Sequence, residues 1–257
     1  MNGRAQFIAF RAIIVKEVLR FTRIWIQTIL PPMITTALYF VIFGRLIGSQ
    51  IGDIHGFQYM QYIVPGLILM AVITNSYANV VASFYSAKFQ HNIEEMLVAP
   101  VPNYLIMAGF IGGGVARGLA VGLAVTVVAL FFTSISLHNL GVAVSVLLLT
   151  SILFSLAGLI NAIYATSFDH ISIIPTFVLT PLTYLGGVFY SVAMLPPLWQ
   201  SVSLANPILY MVNAFRFGLL GVSDVNLAVA YMAIAGFIVA LYGYALFLLN
   251  RGYGIRS

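Results

Sequence analysis

The sequence predicts an all-α, polytopic membrane protein with six transmembrane helices, and three observations carry that expectation. Of its 257 residues, 61% are hydrophobic and only 7% are charged, whereas a soluble domain carries about 25% charged residues to face water. Several apolar runs approach the roughly 20 residues that a helix needs to cross the hydrocarbon of a bilayer. The alternating apolar and polar positions of a membrane barrel are missing. Helices remain, because unpaired N–H and C=O groups find no water inside a bilayer.

The elements follow in order. Residues 1–23 form a basic amphipathic helix: Phe7, Phe10, Ile14, Val18 and Phe21 recur at helical spacing, with Lys16, Arg20 and Arg23 away from that stripe. Such a helix lies in the membrane interface with its apolar side in the acyl boundary. The transmembrane domain covers residues 24–250, with spans at about 24–44, 59–83, 103–132, 140–165, 173–190 and 227–249. Pro31 and Pro32 fall inside the first span and are expected to kink it. The fifth apolar stretch is followed by residues 191–224, rich in proline and too apolar for a solvated loop. This segment is expected to form short extracytoplasmic helices that re-enter the membrane. Residues 251–257 form a tail, and the spans leave room for a single domain.

Basic residues set the orientation. With the N-terminus inside, Arg4, Arg11, Lys16, Arg20, Arg23, Lys88, Arg251 and Arg256 lie on the inner side. Only Arg45 and Arg216 lie outside, and Arg117 falls within a span. The opposite orientation would violate the positive-inside rule, so both termini are expected to be cytoplasmic. The same scatter explains the net charge of +5 without a nucleic-acid partner, since no basic groove forms. No small-residue cleavage site follows a short apolar core, so no signal peptide is expected.

The chemistry is defined as much by what is missing. Cysteine is absent, which excludes disulfides, thiol catalysis and Cys-ligated metals. The lysines Lys16 and Lys88 are followed by Glu17 and Phe89. Neither belongs to a phosphate-cradling G-x-x-x-x-G-K-[ST] loop, so no ATPase site is expected in this chain. His55, His91, His138 and His170 lie in separate loops without metal-ligand spacing. No span carries Asp or Glu near its middle, which weakens the case for an ion-coupled carrier.

Some polar and small residues do stand inside the spans. Arg117 either snorkels to the cytoplasmic interface or marks a functional site. Gly114, Gly118 and Gly122, with Gly109 and Gly113 before them, let a second helix approach closely. That helix belongs to the same subunit or, on the sharper reading, to a second copy. Asn75, Asn79 and Ser83 make a polar stripe that suits either interhelical hydrogen bonds or the wall of a substrate path. Tyr39, Tyr184 and Tyr190 suit such a wall or an interfacial belt. After the second span, Phe89, Ile93, Met96 and Leu97 share a helical face while His91, Glu94 and Glu95 point elsewhere. A compact helix of this kind is either a plain surface helix or a docking knob for a soluble partner.

The order of parts, with Glu94-Glu95 before Pro100, then Pro181-Leu-Thr-Tyr-Leu-Gly-Gly-Val-Phe-Tyr, Leu195-Pro-Pro, Asn206-Pro and Arg216, resembles the type-2 family of ABC transporter permeases. The resemblance covers nearly the whole chain. It implies a bacterial inner-membrane permease of an ATP-driven exporter that pairs with a second copy of itself and with two separate ATPase subunits. ATP and Mg would be bound by those ATPase subunits, with no cofactor in this chain. Lys88, Phe89, His91, Ile93, Glu94, Glu95 and Leu97 would belong to a coupling helix seated in the ATPase. Tyr39, Asn75, Asn79, Thr180 and Tyr184 would line the path at the dimer interface. Pro196, Pro197, Asn206, Pro207 and Arg216 would belong to an extracytoplasmic gate. The substrate would be amphipathic, lipid-linked or drug-like. The alternatives are an ion-coupled secondary transporter and a non-transporting membrane assembly subunit.

Overall fold

The computed structural model describes residues 3–93, 96 and 101–254, and the side chains of residues 45–47 and 49 lie outside the description. Helix α1 (Gly3–Arg23) is followed after Ile24 by α2 (Trp25–Tyr39), which widens into a π-helical stretch, Phe40–Ile47, and ends in the short α3 (Gly48–Ile51). The chain stays helical through Pro31 and Pro32, and the break falls at Ile24 instead. Two successive prolines have no N–H to give, so the carbonyls four residues before them, on Gln27 and Thr28, lose their usual donors. A two-residue β-hairpin pairs Asp53–Ile54 with Phe57–Gln58. Its turn residues, His55 and Gly56, both have positive φ (52° and 80°), as a tight type I′ hairpin turn demands.

Helix α4 (Tyr59–Phe89) is the axis of the molecule, most of its length buried against α5 (Asn103–Leu130) and α6 (Leu140–Tyr164). It runs past the predicted end at Ser83 because Lys88 is anchored. The Lys88 Nζ donates to the carbonyls of Ile163 and Ala165, each at 2.7 Å, and so caps the C-terminal end of α6. Around α4 lie two continuous apolar cores. One joins Tyr62, Leu67 and Ile73 to Val121, Val125 and Phe215, and the other joins Phe84 and Ile93 to Phe110, Leu156 and Leu248. The outer faces of the long helices carry exposed Leu123, Leu148 and Val239, which suit hydrocarbon rather than water.

The fifth apolar stretch departs from expectation. It forms α7 (His170–Ile174), a π-helical stretch (Pro175–Leu179) and α8 (Thr180–Tyr184). This single helical run of 15 residues reaches about 22 Å, less than the roughly 30 Å of a bilayer core. It ends before Gly187, whose φ of 71° a side chain would resist. A short 3₁₀ turn (Val192–Met194), α9 (Pro197–Leu204) and α10 (Pro207–Leu220) follow, and then the last long helix, α11 (Leu227–Arg251). Five helices among the described residues are therefore long and apolar enough to span a membrane. The first and last helices both reach the start of α5: Tyr104 hydrogen-bonds Gln6, and Asn103 hydrogen-bonds Asn250 at 2.8 Å. Both terminal helices thus begin or end at the Lys88 end of the bundle, opposite the β-hairpin.

The glycine ladder is spent inside the subunit. A methyl group at Gly109 or Gly113 would run into Ile13 or Glu17 of α1, and one at Gly114, Gly118 or Gly122 into α4. This contact sets Ile14 of the expected stripe against Gly112 and buries Phe21, so most of the stripe faces the bundle rather than the acyl boundary. Glu17 and Phe21 are its buried residues, while Phe7 is exposed.

Candidate substrate groove and its buried arginine

Helices α2 and α4 diverge around a cavity of about 380 Å³. From α2 come Gln27, Thr28, Thr35, Thr36 and Tyr39 with the two prolines. From α4 come Leu67, Met70, Thr74 and Asn75 with two alanines, and Arg117 of α5 completes the wall. The polar residues of α2 repeat at helical spacing, so one face of an apolar helix is lined with hydroxyls. A second hollow of about 70 Å³ shares Met70 and Thr74 and adds Leu179, Thr180, Thr183 and Tyr184. The two hollows meet where the Tyr39 and Tyr184 hydroxyls approach to 3.2 Å, with Phe189 stacked on Tyr184. Tyr39 and Asn75 line the first hollow and Thr180 and Tyr184 the second.

Asn79 is not part of that wall. It is fully buried, and its Oδ1 accepts from Arg20 Nη2 at 2.8 Å. Arg20 also pairs with Glu17 at 3.4 Å, Lys16 approaches the same carboxylate at 3.7 Å, and Ser83 donates to it at 2.7 Å. Asn79 and Ser83 thus bind α1 to the bundle. One turn from Asn79 along α4, Asn75 Oδ1 accepts from Arg117 Nη2 at 3.1 Å. The Arg117 head group is held inside the bundle. The snorkelling alternative is not what the geometry shows.

At the hairpin end, the segment after Tyr190 is tied down by a polar cluster. Asp224 accepts from Ser191 (2.8 Å), from the Val192 amide (3.0 Å) and lies 3.2 Å from His55 Nε2. Asn213 Oδ1 accepts from the Asp224 amide (2.9 Å) and from Arg216 Nη1 (3.4 Å), and Arg216 Nη2 donates to the Gly187 carbonyl at 2.6 Å. Asn206 caps α10 by accepting from the Ile208 amide, while its Nδ2 donates to the Leu182 carbonyl. Pro196 precedes α9 and Pro197 opens it; Pro207 opens α10. These positions need no N–H, and a fixed φ suits them. Arg216, Asn206 and the prolines therefore lie along one connected segment. Sequence reasoning missed Asp224, Asn213 and Glu17, single polar residues with no spacing pattern to flag them. The Thr28, Thr35, Thr36 and Tyr39 periodicity was available and would have found the α2 wall.

Of the expected coupling residues, Lys88 serves α6, Phe89 is exposed with its ring against Phe168, and Ile93 is fully buried. His91 takes a positive φ of 59° just past the end of α4. Glu94, Glu95 and Leu97 lie outside the described residues.

This is a bundle of long apolar helices around a polar groove, and residues 8–220 match the family model of the ABC-2 type transporter. The chain belongs to that family. It is 59% identical over 251 residues, 98% of each chain, to the inner membrane transport permease YadH of Escherichia coli strain K12. It is also 22% identical over 227 residues, 88% of each chain, to nodulation protein J of Rhizobium leguminosarum bv. viciae, and 23% identical over 237 residues to nodulation protein J of Rhizobium meliloti. Membership makes it the membrane permease component of an ABC-type transporter, set in the inner membrane.

Proposed function

We propose that this chain is the membrane half of an ATP-driven exporter, working as a homodimer with two separate ATPase subunits that bind ATP and Mg. The observation that carries the reading is the groove between α2 and α4: hydroxyls, an amide and one arginine line an open cavity between two membrane-length helices. A second copy facing the exposed side of α2 (Ile26, Leu30, Ile34) and of residues 173–184 would close two such grooves into one path. An amphipathic substrate suits walls that mix hydroxyls with methyl groups.

Both termini are read as cytoplasmic, because the basic residues of α1 and Lys88 share one end of the bundle. Since the terminal helices share that end, the segment 170–226 must carry the chain across once more. It is read as the sixth, broken crossing, with α9 and α10 as the outward gate. The exposed Phe89 and the residues after it would then seat the ATPase.

The test is reconstitution. The chain is co-expressed with a candidate ABC ATPase from the same genome and purified through a tag on the permease. Co-purification of the ATPase, and ATP hydrolysis that collapses on Phe89→Ala, are expected. A permease that moves substrate into vesicles without any ATPase, or whose transport stops when ionophores dissipate ion gradients at constant ATP, would sink the reading.

A further inference from the structure

Arg117 has no carboxylate within ion-pair distance among the described residues. The six acidic residues of the chain are Glu17, Asp53, Glu94, Glu95, Asp169 and Asp224. Glu17, the buried one among the described residues of α1, is already shared by Lys16, Arg20 and Ser83. The guanidiniums of Arg20 and Arg117 are held one helical turn apart on α4, by Asn79 and Asn75. Lys16 and Arg20 thus share the one buried carboxylate, and Arg117 makes no ion pair with it.

A cation at membrane depth without a counter-charge is costly, and such groups pair with something. Asn75 supplies one neutral acceptor, and Arg117 Nε is buried with no protein partner. A guanidinium offers its donors in a planar fork that matches two oxygens of a phosphate or carboxylate. The vacant neighbour of Arg117 is the groove itself. The rest of the groove mixes Pro31, Pro32, Leu67, Met70 and Ala71 with the threonines and Tyr39, and none of these side chains carries a charge that would suit a cation.

We propose that the groove binds an amphiphile whose phosphate or carboxylate head group pairs with Arg117 while its apolar tail lies between α2 and α4. This rests on the reading of the groove as the substrate path and adds the sign of the substrate's head group. Asn75 acts as the positioning residue, holding the guanidinium toward the groove. A membrane phospholipid and a transported amphiphile would present the same chemistry.

The test is equilibrium binding to the full chain, purified in a neutral sugar detergent without ATPase or ATP and read by native mass spectrometry. Dodecyl phosphate, dodecyltrimethylammonium, phosphatidylglycerol and inorganic phosphate are the probes. Dodecyl phosphate is expected to bind at least about tenfold tighter than dodecyltrimethylammonium, and to lose about tenfold in Arg117→Gln. Arg117→Lys, which keeps the charge but not the fork, should lose less binding than Arg117→Gln. Phosphatidylglycerol matching dodecyl phosphate would support the site with a bilayer lipid as its source, and phosphatidylglycerol failing to bind would support it with a smaller amphiphile. Equal binding of the cationic probe overturns the proposal, and that comparison needs no variant. Inorganic phosphate binding as well as dodecyl phosphate overturns the amphiphile. Because no ATPase is present, Arg117-dependent binding survives even if ATP coupling fails, so the two readings fail separately.

Discussion

The Arg216 guanidinium carbon lies 4.0 Å from the centre of the Tyr62 ring, and both side chains are fully buried. The charge is fixed from two other directions, by the Gly187 carbonyl and by Asn213. This arrangement joins the start of α4 to α10 and to the glycine turn that ends the broken helix. A buried charge of this kind contributes little when everything is paired, but removing it strands the partners it satisfied. Arg216→Ala is expected to lower the stability of the detergent-solubilised protein by about 3 kcal/mol. Arg216→Lys should recover only part, because an ammonium lacks the fork that reaches Gly187 and Asn213 together. Thermal melting of the two variants checks this; an Arg216→Ala protein that melts with the wild type would remove Arg216 from the structural core of the gate.

Glu17 gives the second prediction. Its carboxylate is fully buried and holds Arg20, Lys16 and Ser83, so α1 is fastened to α4 and α5 by one group. Glu17→Ala leaves a cation facing buried Asn79 and Ser83 without its counter-charge, at a cost of about 3 kcal/mol. Arg20→Ala should cost a similar amount. The double variant should cost clearly less than the sum, because the second change removes a group the first had already stranded. Strict additivity in a double-mutant cycle would show that the two side chains do not act as a pair.

These two clusters show what the sequence could reveal. The long spans were legible because about 20 apolar residues in a row have one physical solution in a bilayer. The α2–α4 wall was legible at Tyr39 and Asn75 because polar residues inside a span must meet something polar. Asn79 looked the same on paper, but its partner, Arg20, is 59 residues away, and no local pattern announces a contact of that range. The stripe on α1 was legible, but what it faces was not: Ile14 and Phe21 pack toward the bundle while Lys16 and Arg23 stay exposed. An apolar helix face can meet lipid or another helix, and spacing does not choose between them. The fifth apolar stretch was legible as an apolar run but not as a helix that stops before Gly187, because hydropathy measures affinity for lipid and says nothing of helix length.

Close approach of backbones gives a third prediction with its own control. Gly118 lies against the Ser76 side chain and near Ser151, and Gly114 against Ser155, Val80 and the Ser76 carbonyl. Gly236 and Gly243 of α11 have open space where a methyl group would go. Gly114→Val and Gly118→Val are expected to destabilise by about 2 kcal/mol through overpacking of the α4–α5 contact. Gly243→Ala should leave stability unchanged or raise it by about 0.5 kcal/mol, as for any exposed helical glycine. Melting temperatures of the four proteins compare the sites directly. A Gly243→Ala variant as damaged as Gly118→Val would mean that α11 presses its Gly243 face against another helix in the assembled protein.

The last prediction separates coupling from architecture at the Lys88 end. Lys88, Phe89 and Ile93 belong to one short stretch, yet the structure gives them different work. Lys88 closes two carbonyls at the end of α6, Ile93 is sealed in the core, and Phe89 is exposed by 62%. Lys88→Met should lose two hydrogen bonds from a charged donor and destabilise by about 2 kcal/mol. Ile93→Ala should cost about 3 kcal/mol through the cavity it leaves. In both, ATPase binding should fall only as far as folding does. Phe89→Ala removes a ring that touches only Tyr85 and Phe168 among the aromatic side chains. It should shift the melting temperature little while weakening ATPase binding by about tenfold, as loss of one buried aromatic anchor does at an interface. Measuring melting and ATPase affinity on the same preparations distinguishes the cases. If Phe89→Ala changes neither, the ATPase does not sit on this face of the bundle, and the docking surface must be sought along the exposed side of α1 instead.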